Sequence, residues 1–285
     1  MSDHLAELLG APLRLETLKD KPGRRRTSRA HGQRGTAIVK SYASARAPTV
    51  AARLVALAGG PPEPVLPQLL LLDEPGHRVV LSDVPGSPLR AAALAGRLPD
   101  CRRAGAALGS WHRAWEGVAP APLQPHAIER ELEILNERAA AAPATIRAVV
   151  ESAVRPLAAP WRCSTVVHRD LYEEQVLVGE RVGLIDLDDA ALGPPELDVG
   201  NLLAHLDRLS LTSGRDLAAV GQALVAGYAG AGPDLDPDLL NRCRRLALLR
   251  LACIHRDERL ARLATPESDS RGRSRNRSVP KPHSR

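Results

Sequence analysis

Phenylalanine is missing from all 285 residues, and there are only three tyrosines, three tryptophans and one methionine. A core can still form, because 44 % of the chain is hydrophobic, but Ala, Leu and Val have to supply it. That skew fits a high-GC coding bias better than it fits any function. The four cysteines (Cys101, Cys163, Cys243, Cys253) have no CxxC or paired spacing, so they read as reduced thiols rather than a disulfide framework. No apolar run approaches the roughly 20 residues of a membrane span, and no signal-peptide pattern opens the chain. A cytoplasmic protein with no membrane partner is expected. The absence of any G-x-x-x-x-G-K-[ST] disfavours a P-loop ATPase.

The net charge of +6 would suggest nucleic acid if it were spread over the chain. Instead, residues 266–285, PESDSRGRSRNRSVPKPHSR, hold six Lys/Arg against two acids. The remaining body carries +2, which is ordinary for an enzyme. The tail lacks apolar residues to offset the entropy of ordering, so a disordered basic tail is expected over 265–285, and nucleic acid is not the expected partner.

Strand and turn signals dominate the first third. Residues 13–30 read as two strands around Asp20-Lys21-Pro22-Gly23, HGQRG (31–35) as a second turn, and TAIVKSY (36–42) as a third strand carrying Lys40. A helix follows, with Val50, Leu54 and Leu57 on one face, ending at Gly59-Gly60; short strands are expected near 68–72 and 78–82. The Pro/Gly break DVPGSP (83–88) marks a boundary, giving an N-terminal lobe over 1–85 and a helical lobe over 86–264. In the second lobe, Ala104, Leu108, Trp111 and Trp115 share a helix face. Ile128, Leu132 and Leu135 share another, with Glu129, Glu131 and Glu137 expected on its solvent side. Further helices are expected over 199–209, 215–229 and 237–263.

Residues 166–190, VVHRDLYEEQVLVGERVGLIDLDDA, interrupt the helices with two short strands around a GERVG turn. The hairpin brings Asp170, Gln175 and Asp186 toward one edge. Oxygen donors held on rigid backbone suit Mg²⁺, which takes one or two protein carboxylates together with phosphate oxygens. A second carboxylate, free of metal, can orient a hydroxyl and accept its proton. His168-x-Asp170 also admits a metal-dependent hydrolase, but that chemistry would want further histidines near the hairpin, and the segment has none.

HRDLYEEQ fits His-x-Asp-x-x-x-x-amide, IDLDD follows sixteen residues after Asp170, and LGPPELDVGNLLAHL comes next. In this order the segment resembles the aminoglycoside phosphotransferase and choline kinase-like family. The resemblance implies an α+β, two-lobed protein-kinase-like fold and transfer of the γ-phosphate of ATP to a small-molecule hydroxyl. It implies Asp170 as the catalytic aspartate and Asp186 as the main Mg²⁺ ligand. Gln175 would stand where the family usually has asparagine, and Asp188 would be a second acid at the metal. Lys40 resembles the lysine that holds the α- and β-phosphates, and Ser82 and Val84 fall in the segment whose backbone would bond adenine.

The chain departs from the pattern in three places. Gln175 is one methylene longer than asparagine. No acid occurs between Asp20 and Glu63, so the helix after Lys40 offers it no carboxylate. The glycine-rich loop is missing, and DKPGRR (20–25), with Lys21 or Arg24, would substitute for it. A protein kinase is disfavoured: Tyr172 replaces a lysine, DLD replaces Asp-Phe-Gly, and about a dozen residues leave no room for an activation segment. The alternative from another class is a non-catalytic nucleotide-binding regulatory protein on the same fold.

Overall fold

The computed structural model describes residues 2–265. Apart from Thr265, the expected basic tail lies outside the described residues. After helix α1 (Ser2–Leu9), strands β1 (Arg14–Lys21), β2 (Arg25–Gly32) and β3 (Gly35–Tyr42) form consecutive antiparallel hairpins. Helix α2 (Ala47–Leu57) follows, with Val50, Leu54 and Leu57 buried as its spacing predicts. Strands β4 (Leu69–Asp73) and β5 (Arg78–Ser82) complete a five-stranded sheet in the order β1-β2-β3-β5-β4.

Alternation along β3 gives the sheet two functional faces. Ala37 and Val39 pack with Leu5 and Leu9 of α1. Ile38, Lys40 and Tyr42 point the other way, toward the rest of the molecule. On β2, Thr27 lies opposite Lys40 and Arg25 opposite Tyr42, so Arg25, Thr27 and Arg29 line the same side.

The remainder is mostly helical. Strand β6 (Ser87–Pro88) leads into helices α3 (Leu89–Leu94), α4 (Leu98–Ala114), α5 (Ile128–Ala140) and α6 (Ala144–Val154). Strands β7 (Thr165–Val167), β8 (Val176–Val178), β9 (Val182–Leu184) and β10 (Ala191–Gly193) come next, then helices α7 (Pro195–Ser213), α8 (Ala218–Ala229), α9 (Pro237–His255) and α10 (Glu258–Ala264). The largest core cluster runs from α2 and β5 through Trp111 of α4 to the β8–β9 hairpin and α8. Helices α4 and α8 approach so closely that a Cβ on Gly227 would sit 1.9 Å from the Arg102 carbonyl oxygen, which only glycine avoids. The α+β layout expected from the sequence is therefore present: an N-terminal antiparallel sheet joined to a larger helical part. No helix among the described residues is long and apolar enough to cross a membrane. The four cysteines are free.

Three expectations are corrected. The helix expected over 237–263 breaks at Arg256, which adopts left-handed φ 54, and Asp257 caps the new helix by accepting from Arg259 N–H. The helix expected from 199 begins at Pro195, whose fixed φ suits a first helical position. Glu131, expected on a solvated face, is 3 % exposed. Its carboxylate pairs with His126 at 2.9 Å and with Arg250 of α9, partners that period counting on α5 alone does not reveal.

Candidate active site

The site is built on the two short strand pairs. In the β8–β9 hairpin Val176 lies opposite Leu184, and Ile185 N–H donates to the Gln175 carbonyl at 3.0 Å. This register carries Asp186 next to Gln175. Gly183 lets the segment after β5 cross the hairpin, since a Cβ there would lie 2.4 Å from Val84 Cγ1. Strand β7 pairs with β10 and delivers His168, Arg169 and Asp170 at its end.

A buried acid holds this loop in place. Asp198, in the first turn of α7 and 0 % exposed, accepts from His168 N–H at 2.6 Å and from Arg169 N–H at 2.8 Å. His112 Nε2 lies 3.1 Å from the same carboxylate. Asp198 therefore braces the loop rather than capping the helix, whose N-cap is Pro194. His168 Nε2 donates to the Ile185 carbonyl at 2.8 Å, which ties the Asp170 loop to the residue before Asp186. Arg169 and Asp186 both take left-handed φ values, 72° and 67°, a conformation that costs a non-glycine residue and persists where the surroundings impose it.

Two clefts meet at this framework. The first, about 540 Å³, lies between the sheet and the hairpin and is lined by Lys40, Ser82, Val84, Gln175 and Asp186. The second, about 420 Å³, lies on the helical side and contains Asp170. Tyr172 and Glu174 line both. Asp170 is open to the second cleft, yet burial by the surrounding protein pushes its carboxyl above the usual range, against the pull of Arg250 and His168. Asp188 lies behind Asp186, 3 % exposed.

Lys40 does find carboxylates, though not on α2. Its Nζ donates to Asp186 Oδ1 at 2.8 Å and to Asp188 Oδ1 at 2.6 Å. Arg25 grips both oxygens of Asp186, at 2.6 and 2.8 Å, and reaches Asp188 Oδ2 at 2.5 Å. Tyr42 Oη donates to that same oxygen at 2.9 Å. Burial acts to raise the Asp186 pKa, but Lys40 and Arg25 outweigh it and hold the carboxyl well below its usual range. Helix α2, which carries no acid, supplies Arg53, whose Nη1 donates to the Asp188 carbonyl at 2.5 Å. Just before it, Arg46 pairs with Asp189 at 2.9 Å.

Arg25 is the residue that sequence reading missed. Lys21 and Arg24, singled out from the same turn, line the second cleft instead. The signal was available: alternation on β2 puts Arg25 and Thr27 on one face, and Thr27 falls opposite Lys40.

The oxygen donors suit a hard divalent cation. Gln175 Oε1 is buried with no hydrogen-bond partner, a costly state for an amide oxygen unless a positive group completes it. Gln175 Nε2 makes only a long 3.4 Å contact with Asp186 Oδ2. One carboxylate and one amide oxygen match what Mg²⁺ takes from protein when phosphates and water supply the rest. A cation at Asp186 must compete with Arg25 and Lys40 for its oxygens. Among the described residues no group of three or more His, Cys, Asp or Glu is placed to hold a metal without such help.

Comparison with known proteins follows the same lines. The family model described as phosphotransferase enzyme family (APH) matches residues 23–257. No curated protein matches the chain. Among solved structures, a choline/ethanolamine kinase family protein from Mesorhizobium loti is 20 % identical with TM-score 0.60, covering 89 % of this chain and 84 % of that one. The choline kinase LicA from Streptococcus pneumoniae is 13 % identical with TM-score 0.61, covering 92 % and 89 %. A spectinomycin phosphotransferase, APH(9)-Ia, solved with ADP and spectinomycin, is 14 % identical with TM-score 0.57, covering 94 % and 91 %. At these identities the likeness establishes a shared protein-kinase-like fold.

Proposed function

The chain belongs to the phosphotransferase enzyme family, and from that premise we propose that it moves the γ-phosphate of ATP onto a hydroxyl of a small molecule. The observation that supports this most directly is the adjacency of the two clefts, which share Tyr172 and Glu174, one lined by Gln175 and Asp186 and the other by Asp170. One cleft presents Lys40 and the segment carrying Ser82 and Val84 to a nucleotide. The other opens a carboxylate to an acceptor.

Each side chain then has a distinct task. Asp170 orients the acceptor hydroxyl toward the γ-phosphorus. As the new O–P bond forms and the β–γ bridging P–O bond breaks, the hydroxyl proton passes to Asp170, and ADP leaves. The raised pKa of Asp170 favours that transfer. Lys40 and Arg25 are donors of fixed position for phosphate oxygens, and Asp188 anchors both from behind. Asp186 and Gln175 would hold a Mg²⁺ ion, which would offset the negative charge of the phosphates. Catalysis of this kind comes mainly from positioning and charge stabilisation, so the bracing by Asp198 and His168 belongs to the machinery.

Asp170→Asn tests the assignment. Mass-spectrometric detection of phosphoryl transfer from ATP should show a rate at least roughly 100-fold below wild type, the scale of a lost general base, with nucleotide affinity unchanged. Transfer at the wild-type rate would overturn the role of Asp170. The engagement of both Asp186 oxygens by Arg25 favours a second reading, a nucleotide-binding regulator without transfer. Nucleotide binding with no product from any acceptor would support that reading instead.

A further inference from the structure

We infer that the acceptor is an anion: a hydroxylated small molecule bearing a phosphate or carboxylate, held by arginines beside Asp170. This rests on the phosphotransferase reading above and concerns the same site. The second cleft is walled by six cations, Lys21 at the end of β1, Arg24 in the turn after it, and Arg90, Arg138, Arg208 and Arg250 from α3, α5, α7 and α9. Only three acids face them: Asp170, Glu173 and Glu174.

The pairing inside the cleft sharpens that imbalance. Arg90 is matched to Glu173 at 3.8 Å and to Glu174 at 3.5 Å. Arg250 is tied behind the wall to Glu131 and donates to Asn201 Oδ1 at 2.6 Å, which fixes its guanidinium. Among the described residues, the side chains of Lys21, Arg24, Arg138 and Arg208 make no hydrogen bond or ion pair. Four such cations around Asp170, with Glu173 and Glu174 already matched to Arg90, form an electrostatic funnel for a negative group.

His205 stands among these cations. It lies in this cleft, stacked on Tyr172 with ring centroids 5.0 Å apart. Burial, together with Arg250, Arg208 and His255, pushes its pKa down to about 3. After burial, Arg250 and Arg208 contribute to that shift, and both would also repel a quaternary ammonium or a polyamine. A phosphate or carboxylate would instead meet fork-shaped guanidinium donors suited to bidentate bonding.

The nucleotide does not account for the four cations on helices. Arg90, Arg138, Arg208 and Arg250 line the Asp170 cleft and not the one lined by Lys40, Ser82 and Val84. The reaction balances as before: the acceptor hydroxyl oxygen bonds to the γ-phosphorus, ADP departs, and the proton leaves by way of Asp170. The acceptor's own anionic group takes no part in bond making and serves only to anchor it.

The test uses the full chain in two arms. Calorimetry on the wild-type chain, in the presence of ADP, reads binding of a hexose 6-phosphate, gluconate, choline and a polycationic aminoglycoside. Mass spectrometry with wild type, ATP and Mg²⁺ reads transfer to the same compounds. At least one anionic probe should bind, more weakly as salt rises, and neither cation should. Arg208→Ala and the exposed Arg138→Glu should each weaken anion binding at least tenfold with ADP affinity unchanged. Binding of the cations in preference to the anions, no binding of either anion, or anion binding indifferent to both arginines would overturn the inference. Arginine-dependent anion binding without phosphoryl transfer would uphold the charge of the site and remove the phosphotransferase reading. Transfer to choline or the aminoglycoside alone would do the reverse.

Discussion

Replacing Glu131 with glutamine probes how the acceptor cleft is held. Glu131 is buried on α5 and pairs with Arg250 on α9 and His126, so it fixes one wall of the cleft from behind. Burial alone would raise its pKa, yet Arg250 and His126 bring it down to about 2, from a model-compound value of 4.5. That depression corresponds to about 3 kcal/mol of stability at neutral pH. The sign follows from which state binds the proton first. As pH falls, the unfolded chain protonates near 4.5 while the folded carboxylate holds out to about 2. The stabilisation is therefore complete above pH 4.5 and drains away between there and pH 2. Glu131→Gln should lose about 2–3 kcal/mol at pH 7, because an amide keeps a hydrogen bond but not the charge. Urea denaturation of both proteins at pH 7, 5.5 and 3.5 measures the gap. It should be the same at the first two values and narrower by roughly 1 kcal/mol at pH 3.5. A gap under about 1 kcal/mol at pH 7, or one that stays constant to pH 3.5, would refute the ion-pair reasoning.

Asp198→Ala leaves two buried backbone N–H groups without an acceptor and removes the partner of His112. A loss of about 3 kcal/mol or more is expected in denaturant melts, together with reduced transfer by a loop no longer braced; a loss below about 1 kcal/mol would show that the brace is dispensable. Arg25→Ala removes the guanidinium from both oxygens of Asp186 and leaves Oδ1 to Lys40. Binding of Mn²⁺ to the nucleotide-free protein, followed by electron paramagnetic resonance, should tighten at least tenfold, and unchanged binding would argue against Asp186 as the metal ligand.

Much of the layout was legible because it depends on local pattern. Period-2 alternation and turn residues locate β1 to β5, and 3.6-residue spacing locates the buried Trp111 on α4 and Trp115 at its C-cap. The His168–Asp170 and Ile185–Asp189 segments lie close in sequence and are joined by the β8–β9 hairpin, which alone brings Asp186 beside Gln175. Boundaries were less legible where one residue's backbone decides them, as at Arg256 and Pro195.

The sequence by itself determined the class of fold, the order of its elements and the short stretch that carries the acids, since each is written in neighbouring residues. Tertiary structure alone decided which charges meet. Arg25 and Lys40 reach Asp186 across 161 and 146 residues. Glu131 turns inward for an arginine 119 residues away. The cations facing Asp170 come from the end of β1, the turn after it and four separate helices. Long charged side chains look alike in a sequence whether solvated or paired. Their partners are chosen only when distant elements pack, and burial then makes each choice costly to undo.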